Sequence, residues 1–177
     1  MPTYSLEPFD LDFFETAPVA HRFSVTLPVT PERAWAELTR QNTLDWCRII
    51  KAINFTSPPP YGVGTTRSAQ LAPAYARLSE RFFCWEEDAE AGRYRNAFYV
   101  EQANVPGLRR FGELSEIEPA ATGCQFTWSF AIELSGIMGR TSKFALPITN
   151  KTFSTLETDT VKHFSQLQLL SRYVILD

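Results

Sequence analysis

From residue 51 to residue 133 the chain reads as β-strands joined by turns, and a single long amphipathic segment follows them. Candidate strands are 52–57, 65–71, 77–86, 93–101, 109–118 and 123–133, stretches of β texture separated by turn residues. The stretch from Cys124 is the clearest. It sets Cys124, Phe126, Trp128, Phe130 and Ile132 on one face and Gln125, Thr127, Ser129 and Ala131 on the other. The breaks between strands hold Gly and Pro, as in the run Pro58, Pro59, Pro60, Tyr61, Gly62, Val63, Gly64 and in Pro106-Gly107. Links this short allow hairpins and forbid parallel crossovers, so the six strands form an antiparallel meander.

One more strand precedes them, over 21–29, with Phe23, Val25, Leu27 and Val29 on one side. Thr30-Pro31-Glu32 then opens a helix over 31–39, with Thr as N-cap, Pro in the first turn and Glu favouring the positive helix end. Asn42-Thr43 predicts a second short helix through Leu44, Trp46 and Ile49. Near the end, Thr149 or Asn150 caps a long helix to about residue 171, with Phe153, Leu156, Thr160, Phe164 and Leu167 on one face. A sheet of seven antiparallel strands must bury one face, and one long helix is available to cover it. The order therefore predicts an α+β helix-grip fold: a curved seven-stranded sheet wrapped around the C-terminal helix, two short helices after the first strand, and an internal hydrophobic cavity. Residues 1–19 form an acidic aromatic arm, in which Glu7, Asp10, Asp12 and Glu15 alternate with Phe9, Leu11, Phe13 and Phe14. Residues 20–177 form the domain. The arm either lays its rings on the domain or docks on a partner.

Composition narrows the function. Of 177 residues 14% are aromatic, enough rings either to fill a large core or to line a cavity. With 17 Lys and Arg against 20 Asp and Glu the formal charge is −3, without the basic excess of a nucleic-acid binder. No run approaches the roughly 18 apolar residues of a membrane span, so integral membrane association is not expected. Cys47, Cys84 and Cys124 stand far apart, and the two histidines are distant in sequence. That spacing predicts free thiols, a cytoplasmic setting and no metal site.

Several strings resemble the START-like superfamily that includes the Bet v 1 plant proteins, and within it the bacterial polyketide cyclase/dehydrase and lipid-transport (SRPBCC) group. They are Thr30-Pro31-Glu32-Arg33-Ala34-Trp35, then Trp46, then Gly62-Val63-Gly64-Thr65-Thr66-Arg67. Glu80-Arg81, Trp85-Glu86-Glu87 and Gly123-Cys124-Gln125-Phe126-Thr127-Trp128 follow in order. The resemblance implies a hydrophobic small-molecule ligand, such as a lipid, a polyketide or an isoprenoid-like compound, and no cofactor. Its relatives also include cyclases, aromatases and dehydratases, which leaves an enzyme reading open, and the arm leaves open a protein-interaction reading.

Sharp catalytic signatures are absent from the sequence. The weak candidates for chemistry are Arg67, Glu80, Asn96 and His163. Arg67 either holds a carboxylate or ketone within the cavity or points to solvent. Glu80 shares a face with Leu78, Phe82 and Cys84, while Arg81 shares one with Phe83 and Trp85, so alternation does not choose which enters. Asn96 is an amide among Tyr94, Phe98 and Val100. His163 lies at one edge of the aromatic helix face. The ligand-lining set is Phe82, Trp85, Phe98, Phe126, Trp128, Phe130, Phe153 and Phe164, and the protein is expected as a monomer or homodimer.

Overall fold

The computed structural model describes residues 2–72, 75–136 and 142–174, with the side chains of 142–152 and 171–174 left out of the description. In chain order the strands are β1 (Tyr4–Ser5), β2 (Val19–Leu27), β3 (Ile50–Phe55) and β4 (Thr66–Leu71). Next come β5 (Ala76–Asp88), β6 (Arg93–Ala103), β7 (Leu108–Ala120) and β8 (Gly123–Leu134). The helices are α1 (Phe13–Thr16), α2 (Pro31–Thr39) and α3 (Ser142–Val174). The main sheet runs β2-β8-β7-β6-β5-β4-β3, every pair antiparallel, and β1 is an eighth strand that pairs with β6. This is the helix-grip arrangement: a curled sheet of seven strands with α3 in its concave face.

Strand alternation sorts the side chains as the sequence pattern requires. Across the sheet His21, Phe130, Glu113, Phe98 and Phe82 lie in one inward row, and Phe23, Trp128, Ser115, Asn96 and Trp85 in the next. From α3, Phe153, Leu156, Thr160 and Phe164 come down on these rows, all buried. A bulge between Phe82 and Cys84 shifts the register, so Trp85 joins Phe82 on the inner face and Cys84 turns outward. Strict alternation puts Cys84 inside and Trp85 outside. One extra residue in the strand reverses both.

Two elements depart from the sequence reading. No helix forms over 42–49. Asn42 and Leu44 adopt left-handed φ angles of 55° and 60°, which no α-helix accommodates, and the segment runs as linked turns. Backbone turns such as Cys47 N–H to the Leu44 carbonyl at 2.9 Å are joined by side chains: Thr43 Oγ1 donates to the Glu37 carbonyl at 2.9 Å, and the Gln41 amide pairs with the Phe55 backbone at 3.0 and 3.2 Å. The long helix begins at Ser142, ahead of the expected cap at 149–150, and continues past Pro147. A proline forfeits its own donor and strains one turn, and a helix this long absorbs that cost.

The outer face is covered too. Phe13 and Phe14 are buried against Cys84, Ala97, Leu114 and Ala131, with Phe9, Leu11 and Phe83 packed around them. Beyond the paired stretch of β6 and β7 the arm enters the sheet: Leu6 N–H donates to the Glu101 carbonyl and Glu7 N–H to the Arg109 carbonyl, each at 2.9 Å. Gly112 makes this approach possible, because a Cβ there would lie 2.2 Å from the Phe98 carbonyl oxygen and 2.5 Å from the Phe9 ring. Gly112→Ala is therefore expected to cost about 1–3 kcal/mol, read as a lower urea midpoint at unchanged m-value.

Candidate functional site

The inner face carries two separate banks of rings. One, on β2, β8 and α3, joins Phe23, Phe126, Trp128, Phe130 and Phe153, with Trp128–Phe130 at 4.9 Å and Phe130–Phe153 at 4.3 Å. The other, on β3, β5, β6 and α2, joins Phe55, Phe82, Trp85 and Phe98 with Trp35, Tyr61 and Tyr94. Among the described residues no ring pair bridges the two banks. Between them runs β7, whose inward residues Phe111, Glu113 and Ser115 stay partly accessible, while outward Gly112 and Leu114 are buried under the arm. All eight predicted lining residues face inward, and Phe82, Phe98, Phe126, Trp128, Phe130, Phe153 and Phe164 are buried. Seven of them pack within the two banks, and Phe164 packs against Trp46 and His163. The floor between the banks is polar, where the sequence pattern predicts a hydrophobic cavity.

Arg67 and Glu80 face each other across β4 and β5, both pointing inward and both nearly fully buried. Arg67 Nε donates to Glu80 Oε2 at 2.5 Å. The guanidinium carbon lies 4.6 Å from the centre of the Phe98 ring, 5.1 Å from Phe82 and 5.8 Å from Phe55, so three aromatic faces and one carboxylate replace its water. Burial pushes the Glu80 carboxyl above its ordinary value, and the Arg67 charge opposes that rise. Alternation alone does not choose between Glu80 and Arg81. The structure does, sending Arg81 outward to Glu101 at 2.5 Å.

The second carboxyl, Glu113, sits on β7 directly opposite Phe98 and Phe130. Trp128 Nε1 donates to its Oε2 at 3.1 Å. Burial, reinforced by the negative charge of Glu80, pushes Glu113 up to about 8. The sequence pattern does not single it out. Its strand offers Phe111, Glu113, Ser115 and Ile117 on one face and Gly112, Leu114 and Glu116 on the other, too balanced to mark the inside. Asn96 pairs with Ser115 across β6 and β7, one step from Glu113, and is 7% exposed. Its amide makes no hydrogen bond to a described side chain and keeps contact with solvent.

His163 belongs elsewhere. Its ring stacks on Trp46 at 3.9 Å, with Nε2 3.5 Å from a Glu37 carboxylate oxygen. Burial lowers its pKa and Glu37 opposes the shift. Beside it Asp159 accepts from the Arg48 backbone N–H at 2.9 Å and from its guanidinium at 3.0 Å. This cluster fastens α3 to the 41–49 turns. The structure thus unites Arg67, Glu80 and Asn96 with Glu113 and leaves His163 out. A cleft of about 380 Å3 among residues 86–88, 93–95 and 116–118 also lies apart, toward the ends of β5, β6 and β7. The three thiols are free and buried, with Cys47 pushed up to about 12 and Cys124 to about 11, mainly by burial. No group of metal-ligating side chains occurs among the described residues. Nor is any described helix long and apolar enough to cross a membrane.

The sequence pattern of the family described as polyketide cyclase / dehydrase and lipid transport matches residues 19–162. The chain belongs to this family. An uncharacterized protein of Mycobacterium tuberculosis is 31% identical over 134 residues, covering 75% of this chain and 77% of that one. Among solved structures, a START superfamily protein from Mycobacterium smegmatis superposes with a TM-score of 0.66 at 11% identity, covering 84% of this chain and 98% of the other. A protein from Thermus thermophilus gives 0.63 at 16% identity, over 84% and 99% of the two chains. As in the family generally, the grip around α3 is a fold for hydrophobic ligands.

Two outcomes test this electrostatic arrangement. Removing the Glu80 carboxylate leaves Arg67 buried without a counter-charge, so Glu80→Ala is expected to lose about 3–5 kcal/mol by urea denaturation. The double variant Arg67→Met/Glu80→Leu is expected to recover most of that loss. For Glu113 the folded value lies above the unfolded one. The stability it contributes is fully present below about pH 4.5 and is lost as pH rises through about 8. Glu113→Gln, which keeps an acceptor for Trp128, should remove that decline and raise the melting temperature at pH 9 relative to the native protein.

Proposed function

We propose that this protein binds a hydrophobic small molecule, a lipid, polyketide or isoprenoid-like compound, between the sheet and α3. The observation that carries the reading is the inverted burial of β7. Its inward residues Phe111, Glu113 and Ser115 are accessible where its outward residues are sealed, and two unconnected aromatic banks stand on either side. A concave strip walled by rings and floored by a few converging polar groups suits a flat apolar ligand with a polar edge. Binding of this kind calls for no cofactor and fits a cytoplasmic monomer or homodimer.

A second reading, a cyclase, aromatase or dehydratase acting on a polyketide-like chain, draws on Glu113. A carboxyl that holds its proton to about pH 8 is poised as a general acid toward a carbonyl or a departing hydroxyl. Arg67 and Glu80 are already paired with one another and serve this reading as framework. An interaction role for the arm requires a partner to displace Phe13 and Phe14 from the outer face.

Native mass spectrometry of the freshly purified protein, followed by organic extraction, tests the proposal. A stoichiometric apolar companion is the expected result. Protein that is empty and takes up no hydrophobic dye would refute it.

A further inference from the structure

We infer that the interior site selects neutral ligands bearing a ketone or hydroxyl group and rejects carboxylates. This rests on the pocket reading above and adds the chemistry of the ligand's polar end. Among the described residues of the inner face the charged side chains that meet here are Arg67 and Glu80, both buried, and Glu113, which is half-buried. Arg67 is committed to Glu80 at 2.5 Å and to the faces of Phe98, Phe82 and Phe55. Among the described residues a carboxylate entering over β7 therefore meets no unmatched positive charge. It faces Glu113 directly, and behind Phe98 it faces a cation already neutralised. Its lost hydration goes unrepaid.

A neutral oxygen meets different conditions. The Asn96 amide is 7% exposed, makes no hydrogen bond to a described side chain, and lies on the inner face beside Ser115 and one register step from Glu113. Trp128 donates to Oε2 of Glu113 and leaves Oε1 without a bond from it. Asn96 thus offers both donor and acceptor, Ser115 a hydroxyl, and Glu113 a proton that burial retains near neutrality. These groups match a carbonyl or alcohol held between two ring banks. A ligand oxygen that takes the place of water at this amide keeps it hydrogen-bonded.

The test uses the full chain at pH 7 loaded with the hydrocarbon dye diphenylhexatriene, displaced by three naphthalenes of matched ring: 2-acetylnaphthalene, 2-naphthoate and 2-methylnaphthalene. The ketone is expected to bind about tenfold more tightly than the carboxylate. Asn96→Leu should erase the ketone's advantage over 2-methylnaphthalene while dye uptake persists. Glu80→Gln, which frees the Arg67 charge, should strengthen naphthoate binding and leave the ketone unchanged. Naphthoate binding as tightly as the ketone to the native protein would overturn the inference and leave the pocket standing. Failure of the native protein to take up diphenylhexatriene would remove both. The comparison on native protein decides the matter even where a variant does not fold.

Discussion

Seven strands spaced about 4.8 Å apart make a sheet nearly 29 Å wide, and one helix with its side chains covers about 10 Å of it. The structure follows from that mismatch. The sheet has to curl, and what the helix does not cover must be filled by side chains, by the turns around it, or left for something else. Rings do most of the filling, from β2 and β8 under α3 and from β3, β5 and β6 under α2. The strand midway between, β7, receives neither bank. Its inward positions 111, 113 and 115 are only partly covered and carry a phenylalanine, a glutamate and a serine, while Ile117 beyond them is buried.

Placing charge in such an interior is costly, and the arrangement around Arg67 shows how the cost is met. A guanidinium is planar and weakly hydrated, so aromatic faces and one carboxylate substitute for water better than they would around an ammonium. The pair is directly opposed across β4 and β5, and the ladders on either side fix the two Cα positions that bring the side chains together. Glu113 meets its cost differently. Having no cation of its own, it keeps its proton. Burial raises both carboxyls, and the Arg67 charge opposes the rise most directly at Glu80, with which it is paired.

Much of this is legible in the sequence because the fold is written in period-2 alternation, which survives over long strands. Cys124–Ile132 and the aromatic face of α3 lie as their spacing requires. What alternation cannot register is an inserted residue. The bulge before Cys84 moves Trp85 inward without any local sign in Phe82-Phe83-Cys84-Trp85, where every residue is apolar. The turns over 41–49 fail as a helix because Asn42 and Leu44 sit at left-handed angles fixed by Gln41, Arg40 and Thr43, contacts made largely to backbone outside the segment's own turns. Arg67, Glu80 and Asn96 are visible as polar residues in apolar strands, but their convergence depends on register across β4 to β7. Glu113 lacks even that signal, since both faces of its strand mix apolar and polar residues.

The arm completes the logic from the other side. β6 and β7 pair from Tyr94 to Tyr99 against Gly112 to Ile117 and then part, and Leu6 and Glu7 enter the gap with backbone bonds to both strands. Glu7 then binds Arg109 at 2.9 Å and Arg110 at 3.1 Å, while Phe9 lies over Gly112. A sheet parted at this point would otherwise open the floor of the strip to solvent from behind, next to Phe111 and Glu113. With the outer face sealed, access to those residues lies on the concave side, where rings, an amide and a proton-bearing carboxyl are gathered. Closing the back of the sheet buries Gly112 and Leu114, so that over 111–115 the exposure β7 keeps belongs to its inward residues Phe111, Glu113 and Ser115.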